Sequence, residues 1–448
     1  MIQSRRQSRR KKKRSSRLVL LGAALAAGAV ITACAALWPG AGEKAAPDSR
    51  EAPPAADRSK SEPGKREAGN PEQAARPQES DKSGTAKPNE GNTEQAARPQ
   101  DADKSGTAKP NEGGPQAVNA PDNQAPAVGA PETKVKLAFV GDILLADTVE
   151  KLLLQNGYDY PYTNVKTLLS EPDLTVANLE TPVTERGEKQ TKEYVYRSSP
   201  QALPALRDSG IDVVNLANNH VLDYGAEGLL DTVSNLDAAG IPHVGAGSNL
   251  DEALKPVIVE KNGIRIAVLG FSRVVPNSGW KANANQPGVA DTYSYTVPVE
   301  TIRNTKQQAD LVVVFAHWGT ERKDTPDPVQ TDLAHRYIDA GADLVIASHP
   351  HVLQGLESYK DKWIAYSLGN FIFTTNDVAK TWETIVLQAE CAKTGACSLK
   401  AVPVLTKWAS PEPLEGEAGA KLLQRLSGLS YGARIEADGS VVPTTTKK

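Results

Sequence analysis

Val345–Glu357 reads VIASHPHVLQGLE. Its apolar start, Leu344–Ala347, is too short for a helix and suits a strand buried on both faces. The run stops at Ser348-His349-Pro350-His351. Alternate residues on an extended loop point both imidazoles into one region. The same pattern recurs along the chain. Val135–Val140 leads into Gly141-Asp142, and Leu174–Ala177 into Asn178-Leu179-Glu180. Val213–Leu216 is followed by Asn218-Asn219-His220, with Asp223 one turn on. Leu311–Ala316 leads into His317-Trp318-Gly319, with Glu321 nearby, and Ile364–Tyr366 into Ser367-Leu368-Gly369-Asn370. Ile264–Leu269 is a further apolar run.

Helix-like segments, among them Pro200–Ser209, Gly228–Ala239 and Val329–Ala340, lie between these runs. Strands alternating with helices predict an α/β domain with a parallel or mixed sheet. Ligands in such folds bind beyond the carboxyl ends of the strands. The polar clusters fall there. The chain has six histidines, and His220, His317, His349 and His351 directly follow strand-like runs. Imidazole and carboxylate converging at strand ends suit a divalent metal such as Zn, Mn or Fe. Such a metal polarises an ester oxygen and acidifies bound water. Plainer roles exist for each residue. Asp142 could serve a turn, Asn178 and Asn219 could cap helices, Glu180 could be a solvated loop acid, and His317 could pack on Trp318. Asp223 reads as an orienting partner, and His243 and His335 as structural.

The strings GDILLAD, DLTVANLE, VVNLANNHVLDYG, VFAHWGTE, VIASHPHVLQGLE and SLGNFIF occur in that order. Together they resemble the CapA, or poly-γ-glutamate synthesis, family, which is itself similar to calcineurin-like metallophosphoesterases. The resemblance covers about Lys134 to Trp408. It implies a four-layered α/β sandwich with one or two divalent metals at the strand ends. It maps Asp142, Glu180, Asn219, His317, His349 and His351 onto metal-ligand positions. His220 falls on the catalytic histidine position, with Asp223 to orient it. It also implies capsule polymer and membrane-embedded synthase subunits as partners. Two departures stand out. The superfamily's usual Asp-x-His is here Asp142-Ile143-Leu144, and Glu180 replaces a bridging aspartate.

The rest of the chain is of another kind. Residues 1–17 carry nine Lys or Arg and no acid. An uncharged run, 18–38, follows at bilayer-spanning length. The basic block stays cytoplasmic, so the rest is exported. The run contains Ile31-Thr32-Ala33-Cys34, which looks like a lipobox. An uncleaved signal anchor and a lipoprotein, which hold the folded domain at the cell membrane, and a fully released secreted protein are all open, and all put that domain outside. Residues 39–132 are a linker nearly devoid of large apolar side chains, which predicts disorder. Gly69–Glu90 recurs within it as Gly91–Glu112. As a flexible chain it would span roughly 50–60 Å.

The domain is expected over 133–408, with 409–448 as a C-terminal extension. Net charge is −3. Removing nine cations from 1–17, and 12 bases against 16 acids in 40–132, leaves −8 for the remainder. A body of that sign excludes general nucleic-acid binding. Cys391 and Cys397, six apart around Gly395, predict a disulfide across a hairpin loop.

Overall fold

The computed structural model describes residues 132–444. The basic segment, the anchor run and the linker lie outside the described residues, apart from Glu132. Among the described residues no helix is long and apolar enough to cross a membrane.

Two sheets stack face to face. The first has ten strands around Lys134–Ile143. Parallel strands Leu174–Leu179, Val213–Asn215 and His243–Val244 extend it one way. Antiparallel strands Glu383–Ala392 and Cys397–Lys407 extend it the other way. The second sheet has six strands. Its centre is parallel: Ile264–Ser272, Leu311–His317, Leu344–Ser348 and Lys362–Ala365. Each apolar run in the sequence is one of these strands, and two-sided burial explains the missing alternation. Every residue of Leu311–His317 is buried, yet its side chains enter two different cores. Leu311, Val313 and Phe315 face the first sheet, where they meet Leu137, Phe139 and Val176. Val312, Val314 and Ala316 face outward onto Ile302, Leu333 and Tyr337 of the covering helices. On the far side of the first sheet, Ala138, Val140 and Ala177 pack on Leu203, Leu206, Leu229 and Leu236. The order helix, sheet, sheet, helix gives the expected four layers.

Helix boundaries follow local chemistry. Asp327 caps Pro328–Ala340 through a reciprocal capping box with Gln330, and left-handed Gly341 ends it. Left-handed Gly240 likewise ends Gly225–Ala239. The Cys391–Cys397 disulfide is formed, across the register pair next to the hairpin turn. The 409–448 segment is no appendage through residue 444. Ser410–Pro413, Ala433–Ile435 and Ser440–Pro443 join the first sheet. Helix Gly416–Leu429 puts Leu422, Leu423 and Leu426 into the inter-sheet core.

Candidate metal centre

Asp142 lies one residue from the end of the central strand, in register with Asn178 and Asn370 of its neighbours. Gly141 lets that strand run against the 367–370 loop, since a Cβ there would sit 1.8 Å from the Gly369 carbonyl oxygen. Asp142 N–H in turn donates to that oxygen at 3.0 Å. Glu180 follows the next strand and donates its own N–H to Ile143 O at 2.8 Å. In the facing sheet His317 pairs with Ser348, so His349 begins where His317 ends. Both sheets therefore deliver their carboxyl-end residues to one place.

Two overlapping groups could hold a metal ion: Asp142, Glu180 and His317, and Glu180, His349 and His351. Within each group one ligand atom per residue lies within 4.8 Å of the others. Asn219 joins them, its Oδ1 2.7 Å from His317 Nε2. All six expected ligand positions thus converge. Asn178 ties the first layer together, donating from Nδ2 to Asp142 Oδ1 at 2.8 Å. Asn215 donates to Asn178 Oδ1 at 2.9 Å. Asn370 Oδ1 lies 2.9 Å from His351 Nδ1. Yet Glu180 Oε1 and His349 Nδ1 are buried with no hydrogen-bond partner. Stranding a buried polar atom costs about 1–3 kcal/mol, more for a charged one. Two orphans facing one cluster are what a cation would satisfy, so the donor set fits a divalent metal of nitrogen–oxygen type.

The electrostatics point the same way. Burial pushes the Asp142 carboxyl up, but the hydrogen bond and charge of His351, 3.2 Å away, outweigh it and leave it well below the usual range. His351 is correspondingly raised: Asp142 overcomes its burial. Glu180 is pushed well above its ordinary value by burial and then by the Asp142 charge. Burial drives His317 down to about 3. His349 is also driven well down, by burial and then by His317 and His351. Five buried groups that shift one another in this way share one pocket.

Beside this cluster stands a second. His220 Nδ1 is 2.8 Å from Asp223 Oδ2, and Tyr196 N–H donates to the same oxygen at 2.7 Å. Lys192 donates to Asp223 Oδ1 at 2.7 Å and to Asn219 O at 2.6 Å. Asp223 is wholly buried, so Lys192 supplies its counter-charge. The Tyr196 ring covers His220 at 4.8 Å. This fixes the His220 ring and leaves Nε2 as the nitrogen not held by Asp223.

The family described as bacterial capsule synthesis protein PGA_cap matches residues 136–375. The chain belongs to this family. It is 36% identical over 286 residues to the PGA biosynthesis protein CapA of Bacillus subtilis, covering 63% of this chain and 74% of that one. It is 35% identical over 298 residues to the capsule biosynthesis protein CapA of Bacillus anthracis, covering 65% and 72%. A probable polyglutamine synthesis accessory protein of Mycobacterium tuberculosis is 32% identical over 272 residues, covering 56% and 70%. Among solved structures, the NAD nucleotidase of Haemophilus influenzae is similar with 12% identity and a TM-score of 0.38, covering 66% and 63%.

In this PGA_cap chain several sequence expectations need adjusting. His349 and His351 do not converge by alternation on an extended loop. Both have left-handed backbones, φ 97° and 56°, which wrap the chain around Pro350. Such backbone strain is characteristic of functional sites. Neither Asn178 nor Asn219 caps a helix. Asn218 makes the local turn instead, accepting from His220 N–H and Val221 N–H. Leu144 is buried in the outer core. Trp318 packs on Tyr337 and Tyr366, whereas His317 faces His349 at 4.8 Å. His243 and His335 lie apart, the latter stacked on Tyr359 at 3.9 Å. The sequence reading missed Lys192 and Asn215, and named Asn178 and Asn370 among the strand-end clusters without their linking roles. Lys192 sits in an irregular loop with no periodic signal, and only Asp223's burial would have demanded it.

Proposed function

We propose that this chain is a membrane-anchored, extracytoplasmic component of capsule polymer synthesis or export, of poly-γ-glutamate type, working through a divalent-metal centre. Membership of the PGA_cap family and the naming of its relatives support the polymer. The observation that carries the metal is the orphaned pair Glu180 Oε1 and His349 Nδ1 among convergent ligands. Asp142, Glu180, Asn219, His317, His349 and His351 would hold one or two ions of Mn, Zn or Fe. The metal when bound would supply Lewis acidity and a more acidic water. The chain's own residues do the rest. Asp223 holds Nδ1 of His220, and Lys192 neutralises that carboxylate. His220 Nε2 is then placed to carry a proton to or from a ligand. Synthase subunits in the membrane are the expected partners.

The His220–Asp223 pair favours a second reading, a metal-dependent phosphoesterase of 5′-nucleotidase type unrelated to capsule. Metal content of the purified protein, phosphodiesterase and polymer-cleavage assays, and capsule output of a His220→Ala strain separate the two. Bound metal with capsule lost in the variant supports the proposal. Phosphoester turnover with capsule unchanged supports the second reading. Absence of metal from the purified protein, with none taken up on titration, ends both as metal-centre readings. Membrane fractionation with and without residues 1–38 tests the anchor: retention of the truncated protein in the membrane would refute it.

A further inference from the structure

Lys192 makes more bonds than its charge balance needs. Its Nζ donates to Asp223 Oδ1 at 2.7 Å, which is enough to counter that buried carboxylate. It also donates to Asn219 O at 2.6 Å. That oxygen belongs to the peptide joining Asn219, a candidate metal ligand, to His220. The other side of the same peptide, His220 N–H, donates to Asn218 Oδ1 at 3.1 Å. The peptide plane is therefore held at both edges. From its two ends the side chains leave for different clusters. Asn219 Oδ1 lies 2.7 Å from His317 Nε2, and His220 Nδ1 lies 2.8 Å from Asp223 Oδ2.

Lys192 is itself held in place. It lies in the irregular segment that follows strand Leu174–Leu179. Gln190 N–H donates to Asp223 O at 2.9 Å, and Tyr196 N–H to Asp223 Oδ2 at 2.7 Å. The backbone on both sides of Lys192 is thus tied to the residue that its own Nζ meets. The Lys192 side chain is mostly buried, with Nζ 5.1 Å from the centroid of the Trp280 ring. A lysine confined in this way has given up its rotamer freedom on folding, so its ammonium is a fixed tether and not a mobile counter-ion. A shift of the peptide it grips changes ψ of Asn219 and φ of His220 together. Neither side chain can then be re-aimed without the other.

We propose that Lys192 is a positioning residue that couples the metal centre to the His220–Asp223 pair, by holding in one grip the peptide that joins Asn219 to His220 and the carboxylate that orients His220. The coupling deepens the metal-centre reading and rests on it. Two measurements on the full-length protein test it: Mn affinity by equilibrium dialysis, and the His220 Nδ1–H signal by NMR of histidine-labelled protein, assigned with His220→Ala. Lys192→Met keeps the stem and removes the ammonium. It should lower Mn affinity by about 10–100-fold and shift the His220 signal. Lys192→Arg, which keeps a charged donor, should recover part of both. Asp223→Asn alone leaves the bond to Asn219 O, so Mn affinity should stay near that of the wild type while the His220 signal moves. Lys192→Met combined with Asp223→Asn removes both charges of the pair, so it stays measurable should Lys192→Met fail to fold. Its Mn affinity should fall below that of Asp223→Asn. Equal Mn affinity in these two variants overturns the coupling and leaves the metal centre standing, as does a Lys192→Met protein that binds Mn like the wild type. Loss of Mn affinity in Lys192→Met with the His220 signal unmoved also overturns the coupling, since Lys192 would then serve the ligand alone. A wild type that takes up no Mn, Zn or Fe removes the metal centre and the coupling with it.

Discussion

A Cβ on Gly141 would meet backbone rather than a movable side-chain end, because its nearest neighbour is the Gly369 carbonyl. Gly141→Ala must therefore push apart the central strand and the loop that ends at Asn370. The expected cost is about 1–3 kcal/mol, and metal affinity should fall with it because Asp142 and Asn370 shift. Thermal melts with and without metal check this; an unchanged melting temperature would mean the contact relaxes freely. His349→Ala and His351→Ala remove nitrogen donors and leave Asp142 and Glu180 facing each other. Affinity should drop beyond the about 10–100-fold typical of losing an outer partner. His335→Ala, on a stacked pair remote from the cluster, should leave metal stoichiometry as in the wild type. Equilibrium dialysis with Mn or Zn reads both. These histidines were legible in the sequence because each follows a strand-like apolar run. Their left-handed backbones were not, since nothing in His-Pro-His declares its φ.

At the level of elements, the strands were legible wherever burial on both faces made a continuous apolar run. The two-residue pair Ala246–Gly247 and Gly288–Val289 was not, because it is too short for any period to show. The hairpin Glu383–Lys407 was read from its cysteine spacing, and the bond seals the turn end of two long strands. Lys362 adds to the seal, donating to Gly395 O and to Asp343 Oδ1, both at 2.7 Å. So short a loop constrains the unfolded chain modestly, so Cys391→Ser with Cys397→Ser should cost at most ~2–3 kcal/mol. Denaturant midpoints under oxidising and reducing conditions should differ for the wild type and coincide for the double variant. A wild type insensitive to reductant would show that the hairpin holds without its bond.

For the whole molecule, the α/β alternation and the placing of the site were legible up to Phe373, where the quoted motifs end, and the four layers only through the family resemblance. The contribution of residues 410–443 was not, because one amphipathic helix and short strands carry no site chemistry to announce them. Ending the chain after Trp408 would remove Leu422, Leu423, Leu426, Ile435 and Val441 from the inter-sheet core. Each large side chain contributes about 1.5–3 kcal/mol, against a total stability of about 5–15 kcal/mol. The truncated protein should therefore fail to accumulate as a folded species, read by soluble yield and proteolysis; a folded, protease-resistant product would make 409–448 dispensable. The central strand has a mechanical meaning as well. Lys134 and Asp142 are at its opposite ends, roughly 25 Å apart, with hydrogen-bonded neighbours on both flanks. A pull applied at Glu132 acts along that strand, so both ladders are loaded in shear and their bonds must yield together. Pulled across its axis, the strand would instead peel one bond at a time. Tension on the chain is thus absorbed at the end of the strand that carries no chemistry, and Asp142 keeps its place until the clamp as a whole gives way.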